Sequence, residues 1–384
     1  MIFIIDGNYD KQLITRISEE NLQVSHVIVH VPENPLGNGS VFLPKSQPSF
    51  DEFKDYTNFI QECGLIPIAG IDSTCQGNLE AHVKQYEAII SMFQELIDLD
   101  YKNFLVSSPN NVGLINEQFP SMNIFLSYSQ YITSLNRAKI FFDIGADVIT
   151  LHPDIIRDFY ALESFLKLKS TSGEQRHPNY LLPLNIGCNW GCIQWYQHHN
   201  LQSHRTMKSS IFPNQERISD IKDGFDYPML YCWKKRLEFP ETILKAGWIA
   251  PININMYEEL GYERFLLLTN GFSTDKIIHM LKSYQSKTLD TNFTEFINFP
   301  HPYGDYWPKK KIENALFKLK PELVKEFCNN FPYYTYYPFE TEINDYCASF
   351  IQKTQRTHGP NNEDNIDLIN KKMKLIERGA IKDE

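Results

Sequence analysis

The sequence carries one complete strand–helix–strand unit in Phe104-Leu-Val-Ser-Ser-Pro-Asn-Asn-Val-Gly-Leu-Ile-Asn-Glu-Gln-Phe-Pro-Ser-Met-Asn-Ile-Phe-Leu-Ser127. Its two ends, residues 104–107 and 124–127, are short apolar runs that predict strands. Residues 112–119 between them have apolar positions at helical spacing and predict a helix. Because strands joined through a helix pair in parallel, the stretch predicts an α/β protein.

The same alternation extends in both directions from this unit. Six further apolar runs predict strands at residues 2–5, 27–31, 65–71, 148–151, 180–186 and 264–268. Helical patterns follow most of them, so the chain holds eight strand–helix units. Eight units favour a closed (β/α)8 TIM-type barrel. A doubly wound open sheet is the alternative, because periodicity does not separate the two.

Two regions fall outside this alternation. Residues 187–262 interrupt the unit after strand seven, so we predict a barrel over 1–287 that contains this insertion. Residues 288–356 are rich in proline and aromatic side chains and predict a C-terminal extension, partly helical and partly irregular, that wraps the barrel. Residues 357–384 predict a polar linker and a terminal amphipathic helix, which we expect to dock on its own domain.

Composition limits the classes of function. The 384 residues include 37 Lys+Arg and 47 Asp+Glu, a net charge of -10 that disfavours an extended surface for duplex nucleic acid. No apolar run reaches the roughly 18 residues of a membrane helix, and the first residues do not resemble a secretory leader. Seven cysteines cannot all pair in disulfides. We therefore expect a cytoplasmic protein with reduced thiols and no membrane association.

Polar residues follow the predicted strands, where a barrel places its active site. They are Asp6, His30, Asp72, Ser107, Ser127, His152, Asn185 and Asn270. His152-Pro-Asp154 has two interpretations that the sequence leaves open. The histidine beside the aspartate is an oriented base, or Asp154 caps a helix and His152 is a buried, hydrogen-bonded residue.

The densest group of potential ligands lies in residues 185–204. Cys188 and Cys192 stand four positions apart in a glycine-rich turn, a spacing that can present two thiolates to one metal centre. Because a closed site needs about four ligands, Cys232 and Cys347 are candidates for the others. Further candidates are Cys75, Cys328, His198, His199 and His204. The alternative is two small buried residues followed by a histidine-rich surface loop.

Four segments, in order, resemble the collagenase-like peptidases of the U-thirty-two family. They are Phe104-Leu-Val-Ser-Ser-Pro-Asn-Asn111, residues 124–131 continuing to 145–154, residues 185–204, and residues 244–251 with 257–265. Together they cover roughly residues 1–290. The resemblance implies a (β/α) barrel, in agreement with the alternation of strands and helices.

The resemblance also implies chemistry. Some members of the family are described as peptidases, and others hold a four-iron (4Fe–4S) cluster through four cysteines. The latter hydroxylate RNA bases or quinone precursors without dioxygen and take the oxygen from prephenate. Cys188 and Cys192 match the branch with Cys-x-x-x-Cys, and the resemblance makes Cys232 and Cys347 the remaining candidate ligands.

The chain departs from the family at three points. It lacks the peptidase signature, it has Gly271-Phe272 where relatives carry Gly-Arg, and it has Gly37-Asn-Gly-Ser40 where many have Gly-x-Gly-Arg. Arginine is the usual bidentate partner of a carboxylate. Its loss argues against an anionic small substrate such as prephenate.

Three hypotheses follow. The first is an iron–sulfur barrel enzyme that modifies a small molecule, peptide or RNA, with His152, His199, His204 and Asp154 as candidate catalytic residues. The second is a peptidase in which His199, His204 and Asp154 bind zinc or another divalent metal that activates water. The third is a barrel without chemistry that binds a partner protein. For an enzyme, we expect substrate contacts from Asp72, Tyr128 and Asn185.

Overall fold

The computed structural model describes residues 1–32, 34–42, 48–168, 177–207, 226–302, 307–335, 340–355 and 362–377. Within them, eight parallel strands pair in chain order and the last pairs with the first, so the sheet closes into a barrel. The predicted barrel is confirmed and the open sheet is excluded. The strands are β1 Ile2–Asp6, β2 Val24–His30, β3 Ile66–Ile71, β4 Asn103–Val106, β5 Asn123–Leu126, β6 Val148–Thr150, β7 Asn179–Pro183 and β8 Arg264–Leu267.

Helices surround the barrel and form the insertion and the C-terminal region. In the described ranges they are α1 Lys11–Glu19, α2 Phe50–Glu62, α3 Val83–Asp98, α4 Pro109–Gln118, α5 Leu135–Asp143, α6 Phe159–Leu166, α7 Trp195–Thr206, α8 Asp226–Glu238, α9 Glu241–Lys245, α10 Ile254–Leu260, α11 Thr274–Ser286, α12 Lys309–Asn314, α13 Pro321–Asn330, α14 Glu340–Gln355 and α15 Glu363–Glu377. None of these described helices is both long and apolar enough to cross a membrane.

The interior of the barrel is a packed core. Each strand contributes one buried apolar side chain to it, and these are Ile4, Ile28, Ile68, Leu105, Phe125, Val148, Leu181 and Leu266. The alternate side chains of each strand face outward and pack against the helices in a second core. Because the interior is filled, a substrate has to bind above this layer, at the carboxyl ends of the strands.

Two elements differ from the sequence prediction after β6. The predicted helix over 154–168 is a single turn of 3-10 helix, Pro153–Ile155, followed by α6, which Asp158 caps through a hydrogen bond from the Ala161 amide. Strand β7 ends at Pro183, three residues before the predicted end. The side-chain amide of Asn185 bonds across to the backbone of Leu268, so it replaces the strand ladder there.

The region after β8 lies against the insertion. Arg157 donates hydrogen bonds to the carbonyls of Leu244 and Trp248, and its guanidinium packs against the rings of Trp248 and Phe327. Helix α14 contacts α9, and α15 contacts α8, with Ile369 of α15 buried. The polar linker at 357–361 lies outside the described residues. The C-terminal region therefore packs against the insertion helices on the barrel.

Candidate active site

The two-residue period of the strands places the polar ring at the mouth of the barrel. Asp6, His30 and Asp72 stand at even spacing from the interior residues Ile4, Ile28 and Ile68, so they point to the same side as that core. Ser107, Ser127, Thr150 and Asn185 follow the same rule on four further strands. All of these side chains are buried. The predicted ring therefore forms a continuous polar layer above the apolar interior.

A carboxylate–imidazole pair lies on the β1–β2 side of this layer. His30 Nε2 is 3.2 Å from Asp6 Oδ1, and the two residues are 5% and 2% exposed. Burial by itself lowers the pKa of His30, but the hydrogen bond to Asp6 and the negative charges of Asp72 and Asp6 outweigh it. The net effect raises the pKa of His30 above its ordinary value, which favours the imidazolium form.

Gly70 makes room for this imidazole. It pairs with His30 across the β2–β3 ladder, and a Cβ at position 70 would lie 2.7 Å from His30 Nδ1. That separation is shorter than a van der Waals contact, so any side chain at position 70 displaces the ring. A glycine on β3 is thus a geometric requirement of the Asp6–His30 pair.

A cavity of about 450 Å³ opens beside the pair. Such a volume lies in the range of sites for small organic ligands. Its described lining consists of polar residues around the pair and of aromatic walls, namely Asp6, Asn8, Tyr9, Asp10, Ile28, Val29, His30, Phe42, Pro48, Tyr56, Asn270, Gly271, Phe272 and Ser273. The cavity therefore combines a buried ionisable pair with apolar surface.

Two lining residues leave buried oxygen atoms without a hydrogen-bond partner. They are Asp6, at Oδ2, and Asn270, at Oδ1. Asn270 uses its amide nitrogen on Asn8 Oδ1, and Asn8 in turn donates to the Thr269 carbonyl. Because buried polar atoms are rarely left unpaired in folded proteins, these two oxygens indicate where a bound ligand would form hydrogen bonds.

Asp72, which the sequence predicts to contact substrate, forms hydrogen bonds within the protein and does not line the large cavity. Its carboxylate accepts hydrogen bonds from the Gly39 amide, at 3.0 Å, and from the Ser127 hydroxyl, at 3.0 Å. Tyr128, also predicted to contact substrate, lies beside Asp72 at a small void below the mouth, and burial raises its pKa well above the ordinary value. Asn185 uses both ends of its amide on the backbone of Leu268 and Phe296.

The segment Gly37-Asn-Gly-Ser40 covers part of the mouth. Besides the Gly39 bond to Asp72, the Gly39 carbonyl accepts a hydrogen bond from His199 Nδ1 at 2.5 Å. The Asn38 amide bonds to Thr206 on α7. This loop therefore joins β2 to α7 across the barrel, and glycine at position 39 keeps its backbone within hydrogen-bond distance of Asp72.

Three histidines on the opposite side of the mouth are neutral. Burial lowers the pKa of His199 to about 4 and that of His198 to about 3. Burial and the neighbouring His199 lower the pKa of His152 well below its ordinary value. The rings of His152 and His199 flank Trp195, at centroid distances of 4.1 and 4.8 Å. His152 and His199 are thus close together, as the first hypothesis requires, but neither lines the large cavity.

Of the other two candidate catalytic residues, Asp154 lies next to one of these imidazoles, with its Oδ2 3.6 Å from His152 Nδ1, and His204 does not. Asp154 accepts hydrogen bonds from the Tyr131 hydroxyl and the Gly191 amide, and its own amide donates to His152 Nδ1. His152 therefore caps the 3-10 turn and Asp158 caps α6, so the interpretation in which Asp154 is the helix cap is wrong. His204 Nε2 is 3.2 Å from the sulfur of Cys75. His199, His204 and Asp154 therefore have separate partners.

Three of the four candidate cluster cysteines interact. The thiol of Cys192 donates a hydrogen bond to the sulfur of Cys232, which raises the pKa of Cys192 and lowers that of Cys232. Cys188 interacts electrostatically with both, and burial is the main cause of its raised pKa. The buried guanidinium of Arg236 lies beside all three and bonds to the Gly187 carbonyl. It is a cation that favours thiolate in this group.

Cys347 has a different environment. The charged neighbours that act on it are Arg157, Lys245 and Glu241, and burial raises its pKa to about 11. Within the described residues, no set of three or more His, Cys, Asp or Glu side chains has the arrangement needed to hold a metal ion. Three of the four candidate thiols thus form one group, and the interactions of Cys347 are with other residues.

Sequence reasoning included Asp6, His30 and Asn270 in the polar ring but did not single them out as a pair with a cavity. The pattern that could have found the pair is present, because both residues end adjacent strands on the inward phase. Asn8, Tyr9 and Arg236 were missed. Nothing local in the sequence distinguishes them, since their roles depend on segments far along the chain.

Comparisons with known proteins add the following. No protein-family model matches the chain, and no curated protein matches it. Among solved structures, the U32 peptidase Mk0906 has a TM-score of 0.49 and 17% identity, over 71% of this chain and 93% of that one. These comparisons bear on the barrel fold only. At these values they carry no functional argument, so the chemistry has to be argued from the site.

Two other solved structures are similar at lower TM-scores. Thiamine phosphate pyrophosphorylase from Pyrococcus furiosus has a TM-score of 0.33 and 9% identity, over 74% of this chain and 94% of that one. CpGH84B has a TM-score of 0.35 and 11% identity, over 97% of this chain and 76% of that one.

Proposed function

We propose that this chain is a (β/α)8-barrel enzyme that resembles the U-thirty-two peptidases, and that it performs acid–base chemistry at the Asp6–His30 pair. One observation carries the proposal. A buried carboxylate and an imidazole, 3.2 Å apart at the carboxyl ends of β1 and β2, line a cavity of about 450 Å³. Ionisable groups with shifted pKa values in such a cleft are typical of active sites.

The two residues have different tasks in this proposal. His30 binds Asp6 Oδ1 and so fixes the carboxylate, while Oδ2 stays free of protein partners. Asp6 Oδ2 accepts a proton from the bound substrate and later returns it. His30, held as an imidazolium, balances the carboxylate before the first transfer and the negative charge left on the substrate between the two transfers. Asp6 is the catalytic residue and His30 is a positioning residue.

The test is a pair of substitutions at the pair itself. Against a mass-spectrometric screen of peptides, RNA fragments and quinone precursors, Asp6→Asn should lower kcat on whichever substrate turns over by about 100-fold or more, the usual contribution of a general base. His30→Gln should lower kcat less and remove the loss of rate that wild type shows as pH rises through the raised pKa of His30. Asp55→Asn, on the exposed Asp55–Lys11 ion pair, is the matched control. Full activity of Asp6→Asn contradicts the proposal.

Iron–sulfur-dependent hydroxylation is the second candidate. It is supported by the sequence resemblance and by the mutual contacts of Cys188, Cys192 and Cys232 beside Arg236. Four irons per chain and a broad visible absorbance after anaerobic purification would establish the cluster. Loss of that iron in Cys192→Ser, but not in the Cys63→Ser control, would assign these thiols. Protein without iron contradicts this candidate and leaves the acid–base proposal unaffected.

The two remaining hypotheses have less support. A metal-dependent peptidase needs His199, His204 and Asp154 around one ion, and each has a different partner. A non-catalytic binding subunit does not require a buried Asp–His pair beside a cavity. Chelator-sensitive cleavage of a peptide library, or co-purification with a partner protein, are the respective observations that would favour them.

A further inference from the structure

Three buried polar atoms in the described lining of the large cavity have no hydrogen-bond partner. One is His30 Nδ1, which lies against Gly70 on β3, and the other two are oxygens. Both unpartnered oxygens in its lining, Asp6 Oδ2 and Asn270 Oδ1, are hydrogen-bond acceptors. Both residues are at least nine-tenths buried, with exposures of 2% and 5%. A ligand that satisfies them has to bring hydrogen-bond donors, because an acceptor group on the ligand would leave both oxygens unpaired.

The two tyrosine hydroxyls of the cavity do not supply these donors. Tyr9 donates to the carbonyl of His30, and Tyr56 donates to the carbonyl of Gly7. The tyrosine rings, 5.2 Å apart between centroids, therefore contribute apolar surface to the wall. Phe42 and Phe272 add further aromatic surface. The ligand thus needs an apolar portion as well as its donors.

Charge distinguishes an ammonium donor from a hydroxyl donor. Asp6 and Asp10 line the cavity, and Asp72 lies just below it, whereas His30 is the positively charged group among the described lining residues. Lys276 packs on Phe272, but the negative charges of Glu313 and Glu295 act on it. The described charges around the cavity are therefore negative in sum, which favours a cation over a neutral alcohol.

We propose that the cavity binds a small primary amine that carries an apolar group. Its ammonium lies between Asp6 Oδ2 and Asn270 Oδ1, and its apolar group contacts the aromatic walls, where the ring faces add attraction for the cation. The described lining contains no lysine or arginine, which agrees with a cationic ligand rather than a carboxylate. This inference rests on the proposed function, because it names the substrate class for the same cavity.

The test uses phenethylamine as the probe and 2-phenylethanol as its neutral counterpart, since the two share size and ring. Titration calorimetry on the full chain should show the amine binding at least tenfold more tightly than the alcohol. Asp6→Asn should weaken amine binding at least tenfold, and Asn270→Ala should weaken it to a smaller extent. Asp55→Asn should bind as wild type does. Circular dichroism and a thermal melt confirm that each variant is folded.

Three results overturn the inference, namely no amine binding to wild type, equal binding of the alcohol, or unchanged binding in both folded variants. Failure of the proposed function is distinguishable. Amine binding that depends on Asp6, together with an activity that Asp6→Asn leaves intact, removes the acid–base proposal and keeps the amine site. Activity lost in Asp6→Asn on a neutral substrate, without amine binding, does the reverse.

Discussion

The two sides of the barrel mouth hold the same residue type in opposite states. On the β1–β2 side, His30 meets a carboxylate at 3.2 Å, and its pKa is raised. On the β6–α7 side, His152 and His199 flank Trp195 and are buried with lowered pKa values. Both sides are buried, so burial alone does not decide the charge of a histidine.

The difference teaches where chemistry can occur at this mouth. A neutral imidazole packed between aromatic rings is a stable part of the core, whereas an imidazolium held by a carboxylate beside a cavity can balance a proton transfer. The sequence predicts catalytic histidines in α7, but the imidazoles of that helix do not line the large cavity. We therefore interpret the Trp195 side as structural and the Asp6 side as functional.

The largest expected effect comes from removing the ring between the neutral histidines. Trp195 is 3% exposed and donates a hydrogen bond to the Ser129 carbonyl, so Trp195→Ala should lower the free energy of unfolding by about 3–5 kcal/mol. Urea unfolding measures it, and Tyr196→Ala, at a side chain 46% exposed, is the control with a small expected effect. If the folded Trp195→Ala variant loses phenethylamine binding, the Trp195 side of the mouth also contributes to the amine site, and the distinction between the two sides fails.

A smaller effect is expected from a methyl group on the functional side. Gly70→Ala places a Cβ against the His30 ring, so it should destabilise the fold by about 1–3 kcal/mol. It should also move the His30 resonance and its titration in an NMR spectrum. The control is Gly113→Ala in α4, where no atom lies within 4 Å of the new Cβ and a gain of ~0.5–1 kcal/mol is expected. An unperturbed His30 titration in Gly70→Ala contradicts the geometric role of Gly70.

The smallest expected effect is on the pH dependence of the free energy of unfolding, to which His199 and His30 should contribute with opposite signs. His199 is neutral when folded, with His152 and Asp72 as ionisable neighbours, so its contribution to stability is lost as pH falls from about 6.5 toward about 4. His30 faces Asp6 and Asp72, and its contribution is present below about pH 6.5 and lost as pH rises through its raised pKa.

The measurement is urea unfolding as a function of pH. His199→Gln should flatten the loss of stability between about pH 6.5 and about pH 4, because the variant has no imidazole to protonate there. His30→Gln should cost more stability at about pH 6 than at about pH 9. The same slope in both variants would show that the two sides of the mouth do not differ in protonation.

The barrel was predictable because it depends on local patterns. Short apolar runs and helical spacing fixed all eight strands, and the two-residue period placed Asp6, His30 and Asp72 on the inward side. The end of β7 was not predictable, because the side chain of Asn185 bonds to Leu268, 83 positions away. The site was predictable as a ring of positions but not as a pair, because hydrogen-bond partners depend on side-chain directions across strands.

By itself, the sequence determined the class of fold, the ring of polar residues at the strand ends, and the Cys188–Cys192 pair as a candidate site with Cys232 and Cys347 as further candidate ligands. These follow from spacing along the chain, which sets the face of each side chain. Only the tertiary structure decided which histidine is charged, that Cys347 lies among Arg157, Lys245 and Glu241, and that a cavity opens beside Asp6. Those properties depend on burial and on charges brought together by folding, and no local pattern encodes them.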